Sequence, residues 1–153
     1  MLNKIKKDNK GFTIIEVLIV LAIAGLILLV VFLAVPALQR NSRNTQLKNG
    51  VSSVLAGISE YASNNDGKIP TTISQDGGNV TISSASGTDS VAKVNGGLTV
   101  AVSATVDTAD INVQFGQKCN DNGNGFAAGT ARNYAAIYQI ETAGDPATKC
   151  TQG

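Results

Sequence analysis

Histidine and tryptophan are absent from the 153 residues, and only two cysteines are present. Without histidine, no Ser–His or Cys–His pair can activate a nucleophile. Two cysteines and no histidine cannot complete a tetrahedral zinc site. Charge is sparse, at 15% of residues, and the acids stand singly and in turns, so no convergent carboxylate pair is available for acid–base work. Neither an enzyme nor a cofactor is expected. The bases of the second half, Lys68, Lys93, Lys118, Arg132 and Lys149, are scattered singly. That spacing makes no stripe able to track a phosphate backbone, so no specific nucleic acid is expected as a partner.

Charge is missing altogether from residues 17–35. A helix of that length, at ~1.5 Å per residue, crosses roughly 30 Å of hydrocarbon, so the run reads as a membrane-spanning helix. An ordinary secretory signal places a short apolar core before its cleavage site and is then discarded. Here the order is reversed: Lys4, Lys6, Lys7 and Lys10 precede a Gly11–Phe12 junction, and the apolar run follows it. A cut after Gly11 would remove the basic leader and keep the helix, leaving eight basic and ten acidic side chains, about −2 in net charge. Glu16 stands at the start of the span, where a carboxylate in lipid costs on the order of 2 to 3 kcal/mol. It needs a partner, or it faces the headgroups.

The stretch Lys10-Gly11-Phe12-Thr13-Ile14-Ile15-Glu16, opening an apolar helix, resembles the start of type IV pilins. The resemblance covers roughly residues 4–36; the remainder agrees only in architecture. It implies cleavage between Gly11 and Phe12 by a prepilin peptidase and N-methylation of the new terminal Phe12. It also implies that Glu16, beside Thr13, meets the Phe12 amine of its own chain and that of a neighbouring subunit, setting the register of a helical homopolymer. An amine one turn from a carboxylate in a low-dielectric setting is attracted far more than in water. Further partners implied are the pilus assembly platform, its motor ATPase and, before assembly, the membrane. Family pilins have a glycine at the place of Gly25 and a proline that most often lies three residues before the position of Pro36. The helix between the two either melts in the filament or carries a tolerated irregularity, with a kink expected at Pro36.

From residue 37 the pattern becomes amphipathic: Leu47, Val51, Val54, Leu55, Ile58, Tyr61 and Ala62 recur at three- and four-residue steps. Asn64-Asn65-Asp66-Gly67 supplies a stop, with Pro70 shortly after. Residues 68–97 are rich in Gly, Ser, Thr, Asn and Asp and read as exposed loop with a weak hairpin around Val80 and Ile82. Asn79-Val80-Thr81 fits an N-glycosylation sequon, a pattern short enough to arise by chance. Two alternating runs, 98–106 and 111–115, are expected to pair as a hairpin through residues 107–110, and a third run spans 133–141.

Two cysteines in an exported domain read either as one disulfide, Cys119–Cys150, or as two buried thiols; the resemblance implies the disulfide, bracketing the C-terminal region. Closing that loop would contribute roughly 3 to 4 kcal/mol. Residues 123–129 resemble a nucleotide-binding glycine loop but run one residue too long and follow a turn rather than a strand. Residues 120–125 offer oxygens at alternate positions, faintly like a calcium loop, yet Ala131 stands where the closing Glu is needed.

The expected architecture is α+β: one long N-terminal helix packed on a small antiparallel sheet. Its divisions are a leader (1–11), a transmembrane or filament-core helix (12–36), an amphipathic half (37–63) and a head (64–153). Within the head, 64–97 is expected to be a variable loop and 98–153 the sheet with its C-terminal bracket. The expected function is a pilus subunit, a membrane precursor with its head outside and then an extracellular fibre. The alternatives are a pseudopilin of a secretion or competence system, a minor pilin, and a signal-anchored surface domain.

Overall fold

A computed structural model describes residues 11–106 and 109–153. The leader lysines Lys4, Lys6, Lys7 and Lys10, with Asp107 and Thr108 of the expected hairpin connection, lie outside the described residues. The chain divides into two compact units, Met1–Leu38 and Gln39–Gly153. Helix α1, Ile14–Asn64, is followed by β-strands, giving an α+β arrangement. Pro36 lies inside α1, which continues through it, and the stretch from Gly25 to Pro36 is helical. The helix ends where left-handed backbone begins, at Asp66 (φ 55°) and Gly67 (φ 77°), and the Gly67 N–H donates to Ala62 O at 2.8 Å. That is a Schellman-type closure, which gives an otherwise unpaired terminal carbonyl its donor.

In the second unit, α1 buries Leu47, Val51, Val54, Leu55, Ile58 and Tyr61, while Ala62 is only half-buried. Gly50 and Gly57 are buried in the same stripe and let the strands come close. A Cβ on Gly57 would stand 2.7 Å from Ile82 Cδ1 and 3.0 Å from Ala92 Cβ; one on Gly50 would stand 2.9 Å from Val94 Cγ1. The helix therefore touches the strands through backbone at two points seven residues apart.

The strands under it form three sheets. The first is antiparallel, in the order β1 (Thr72–Asp76), β2 (Asn79–Ser83), β3 (Ser90–Lys93). The second has the order β4-β5-β8-β9, from β4 (Val100–Val102), β5 (Ile111–Phe115), β8 (Tyr134–Ile140) and β9 (Ala147–Gln152). The third is the hairpin of β6 (Gln117–Cys119) and β7 (Phe126–Ala128). Strand β8 is central and buried on both faces from Tyr134 to Tyr138, so Ala135 and Ile137 join the expected Tyr134, Ala136 and Tyr138.

Two expectations are corrected. Residues 68–97 are more than an exposed loop with a weak hairpin: β1 and β2 form the hairpin, β3 adds a third strand, and Val80 and Ile82 are fully buried, Ile82 beneath Gly57. A few apolar residues at two-residue spacing outweigh the surrounding polar composition, because the side-chain-free patch of the helix brings the core to them. Nor do 98–106 and 111–115 form a hairpin. Strands β4 and β5 run parallel, with Val100 opposite Ile111, and Val102 is 42% exposed, so the apolar alternation stops early. The cause is a clamp at the strand starts: the Asp110 carboxylate accepts from the Thr99 N–H and hydroxyl, both at 2.7 Å, and the Asp110 N–H donates to Thr99 Oγ1 at 3.0 Å. The chain thus doubles back before entering β5.

The close approach at Gly57 predicts that Gly57→Val destabilises the full chain by about 1–3 kcal/mol, through overpacking against Ile82 and Ala92. Denaturant unfolding in detergent reads this directly; an unchanged midpoint would contradict so close a contact.

Candidate functional site

Helix α1 begins with the polar atoms of Thr13 and Glu16. The Thr13 N–H donates to Glu16 Oε2 at 2.9 Å, the Thr13 hydroxyl donates to the same oxygen at 2.8 Å, and the Glu16 N–H approaches Thr13 Oγ1 at 3.4 Å. This is a reciprocal capping box, with Thr13 as the N-cap and Glu16 three residues on. Two of the amide donors that every helix start leaves unpaired are covered, and the carboxylate lies at the positive end of the helix dipole. The Thr-x-x-Glu spacing before an apolar run is the recognisable signal for it; the sequence reading assigned Glu16 to an amine and overlooked this local partner.

Gly11 and Phe12 precede the helix and are exposed, Phe12 at 88%. In the uncleaved chain the Phe12 nitrogen is an amide, not an amine. Behind Glu16 the side chains from Val17 to Leu38 are exposed hydrocarbon, and the helix is long and apolar enough to cross a membrane. Nothing within 4 Å meets the place of a side chain on Gly25. The structure therefore brings Thr13 and Glu16 together, with Phe12 one residue before the cap, whereas Gly25 and Pro36 stand apart along the helix.

Within the second unit, Cys119 and Cys150 form a disulfide, with Cα atoms 5.6 Å apart. The bridge ties β6 to β9, and the Cys150 N–H donates to Gly123 O at 2.8 Å beside it. In residues 120–125 the side-chain oxygens of Asn120 and Asn124 are spent on the loop itself: Asn120 Oδ1 accepts from the Asn124 N–H, and Asn124 Oδ1 from Asn120 Nδ2. Among the described residues no group of three His, Cys, Asp or Glu converges. Residues 126–128 of the glycine-rich stretch are strand β7, paired to β6, so no phosphate-cradling loop precedes a helix there.

A cleft of ≈ 400 Å³ is lined by Leu47, Thr99, Asp110, Gln139, Glu141 and Pro146 among others. Neither of its carboxylates is free. Asp110 is held by Thr99, as above, and Glu141 accepts two bonds from the Arg43 guanidinium, each at 2.6 Å. The Asn44 side chain fixes the same residue through its backbone, donating to Glu141 O at 2.7 Å and accepting from the Glu141 N–H at 2.8 Å. These contacts pin the end of β8 to α1, and the sequence offered no pairing signal across ninety-eight positions. The Arg43 hydrogen bond, with smaller charge effects from Arg43 and Arg40, holds the Glu141 carboxyl below its ordinary value of 4.5.

Residues 6–32 match the family model of the prokaryotic N-terminal methylation motif, the class III leader of type IV pilins. Comparison with curated proteins and with solved structures found no significant match. The matched segment contains Gly11, Phe12, Thr13, Glu16 and Gly25, and the helix-on-sheet fold with its disulfide accords with it. The motif supports a type IV pilin-like or pseudopilin protein and points to a structural class rather than an enzymatic one. A leader of this kind implies processing by a prepilin peptidase and suits a membrane-anchored precursor.

Two measurements follow. Thr13→Ala removes the cap and costs about 1 kcal/mol of first-turn stability, whereas Thr13→Ser keeps it. Amide exchange at residues 13–17 in micelles should accelerate only in the alanine variant. A carboxyl held below its ordinary value stabilises the fold above that value, and the contribution disappears as pH falls through the folded pKa. Glu141→Gln should therefore melt earlier than wild type at neutral pH and converge with it in acid; parallel curves down to low pH would exclude the Arg43 pair as the cause.

Proposed function

We propose that this chain is a structural subunit of a type IV pilus, cleaved after Gly11 and N-methylated at Phe12. Residues 12–36 anchor it in the cytoplasmic membrane until it is drawn into a helical polymer, with the domain from residue 64 outward on an extracellular fibre. The observation that carries this reading is the junction itself: a Gly–Phe bond one residue before a Thr13–Glu16 cap, on a helix whose hydrocarbon its own fold leaves bare.

The chemistry supports the sequence of events. Glu16 Oε2 sits 2.9 Å from the Thr13 nitrogen, so cleavage converts the immediately preceding nitrogen from amide to ammonium beside a carboxylate already in place. The pair neutralises itself within lipid, and the same two charges can exchange partners between neighbouring subunits. Once the helix leaves the bilayer, burial against identical helices replaces the contact with lipid at roughly 25 cal/mol per Å². A motor ATPase and an assembly platform supply the extraction. Gly25 and Pro36 are the places where the helix is least supported, through the absence of a side chain in one case and of an amide in the other.

A pseudopilin would share every residue named here and differ in the length of the fibre. A minor subunit is disfavoured by the presence of Glu16, and a plain signal-anchored domain by the cleavable junction. The discriminating experiment is coexpression of the full chain with a prepilin peptidase. Mass analysis should find a chain starting at a methylated Phe12, and Gly11→Val should retain the leader. Glu16→Ala should insert in the membrane yet yield no sheared filaments. A mature chain that keeps Met1, or one that begins after residue 35, would refute the reading.

A further inference from the structure

The strands of the second unit form one lateral run with very different ends. Gln75 of β1 bridges the two larger sheets, its Nε2 donating to Leu98 O and its Oε1 accepting from the Val100 N–H, both at 2.7 Å. Across this seam the order reads β3-β2-β1-β4-β5-β8-β9. At the β9 end the β6–β7 hairpin lies over the edge, fastened by the disulfide, by the Cys150 N–H to Gly123 O and by the Cys119 N–H to Gln152 Oε1 at 2.9 Å. Among the described residues no such cover lies over β3.

The register shows which backbone groups that edge presents. The Val94 N–H donates to Gly78 O at 2.8 Å, and Val80 stands opposite Ala92, so the amides and carbonyls of Ser90 and Ala92 face β2. Those of Asp89, Val91 and Lys93 face away. Lys93 O takes the Ser53 hydroxyl, whereas the Val91 amide and carbonyl have no partner among the described residues. The side chains of Asp89, Val91 and Lys93 are exposed, Val91 at 54%. The edge therefore carries an acid, an aliphatic residue and a base at two-residue spacing.

We propose that the β3 edge docks a second copy of this chain, antiparallel and edge to edge, about a twofold axis at Val91. That arrangement sets Val91 opposite the second copy's Val91, with both pairs of free backbone groups bonded. It also sets Asp89 opposite the second copy's Lys93, and Lys93 opposite its Asp89. The charge order selects this geometry, since in-register parallel pairing would set Lys93 on Lys93 and Asp89 on Asp89, like charges in direct opposition. The edge is short, so one contact is weak, and a twofold contact closes on itself. Between polymers running in opposite directions it would repeat along the length and join one to the other. The pairwise contact is independent of whether polymers form.

The test is oxidative cross-linking of the full chain in detergent micelles, where two copies can meet with their helices in opposite directions, with the native disulfide intact. Residues opposite each other in a bonded pair have Cα atoms about 5.5 Å apart, within disulfide reach. Val91→Cys should give a product of twice the chain mass on non-reducing gels, and Ser74→Cys, exposed on β1, should not. Adding Asp89→Lys or Lys93→Asp should reduce the Val91→Cys product by about tenfold. Adding both should restore it, because every pair is rebuilt with its signs exchanged. The proposal is overturned by a folded Val91→Cys chain that gives no dimer or joins to other proteins, by a Ser74→Cys chain that links equally well, by a dimer indifferent to either reversal, or by a double reversal that fails to rescue.

Discussion

Between Phe12 and Leu38 this chain presents exposed hydrocarbon. Such a surface is stable only in lipid or against more of itself, because water penalises it in proportion to its area. The two settings correspond to the two stages of the proposed function: anchored, and then assembled. A helix is the form that permits both, since it satisfies its backbone internally and needs nothing polar from whatever surrounds it.

A helix in lipid still has one difficult end, where the first amides have no partners. Thr13 and Glu16 resolve this locally, and in doing so they place a carboxylate against the bond expected to be cut. If the chain is cut as proposed, the same acid has a partner before processing and a stronger one afterwards. On that proposal the overlooked cap and the anticipated amine are successive occupants of the same oxygen, so the motif reads as assembly chemistry from one side and helix chemistry from the other.

In the second unit the decisive feature is the absence of side chains at Gly50 and Gly57. A glycine in mid-helix loses about 0.5–1 kcal/mol relative to alanine. Here the gap admits Val94, Ile82 and Ala92 to the helix backbone, so that a Ser- and Thr-rich segment becomes part of the core. Composition argued for a loop, and packing overrode it. Asn65 adds to the effect: its side chain donates to Tyr61 O and Thr88 O and accepts from the Thr88 N–H, closing the helix and fastening the approach to β3.

Whatever depends on near neighbours was legible in the sequence. The apolar span, the basic leader, the Gly–Phe junction, the amphipathic stripe and the helix stop are all local patterns, governed by periodicities of one or two turns. The run that became β8 was legible for the same reason. Parallel pairing of β4 with β5, the three strands of 72–93, the Arg43–Glu141 clasp and the open edge at β3 belong to the tertiary structure alone. Each joins residues far apart in the chain whose types suit many other pairings, and only the close packing of one helix against the strands leaves a single arrangement in which all of them are satisfied.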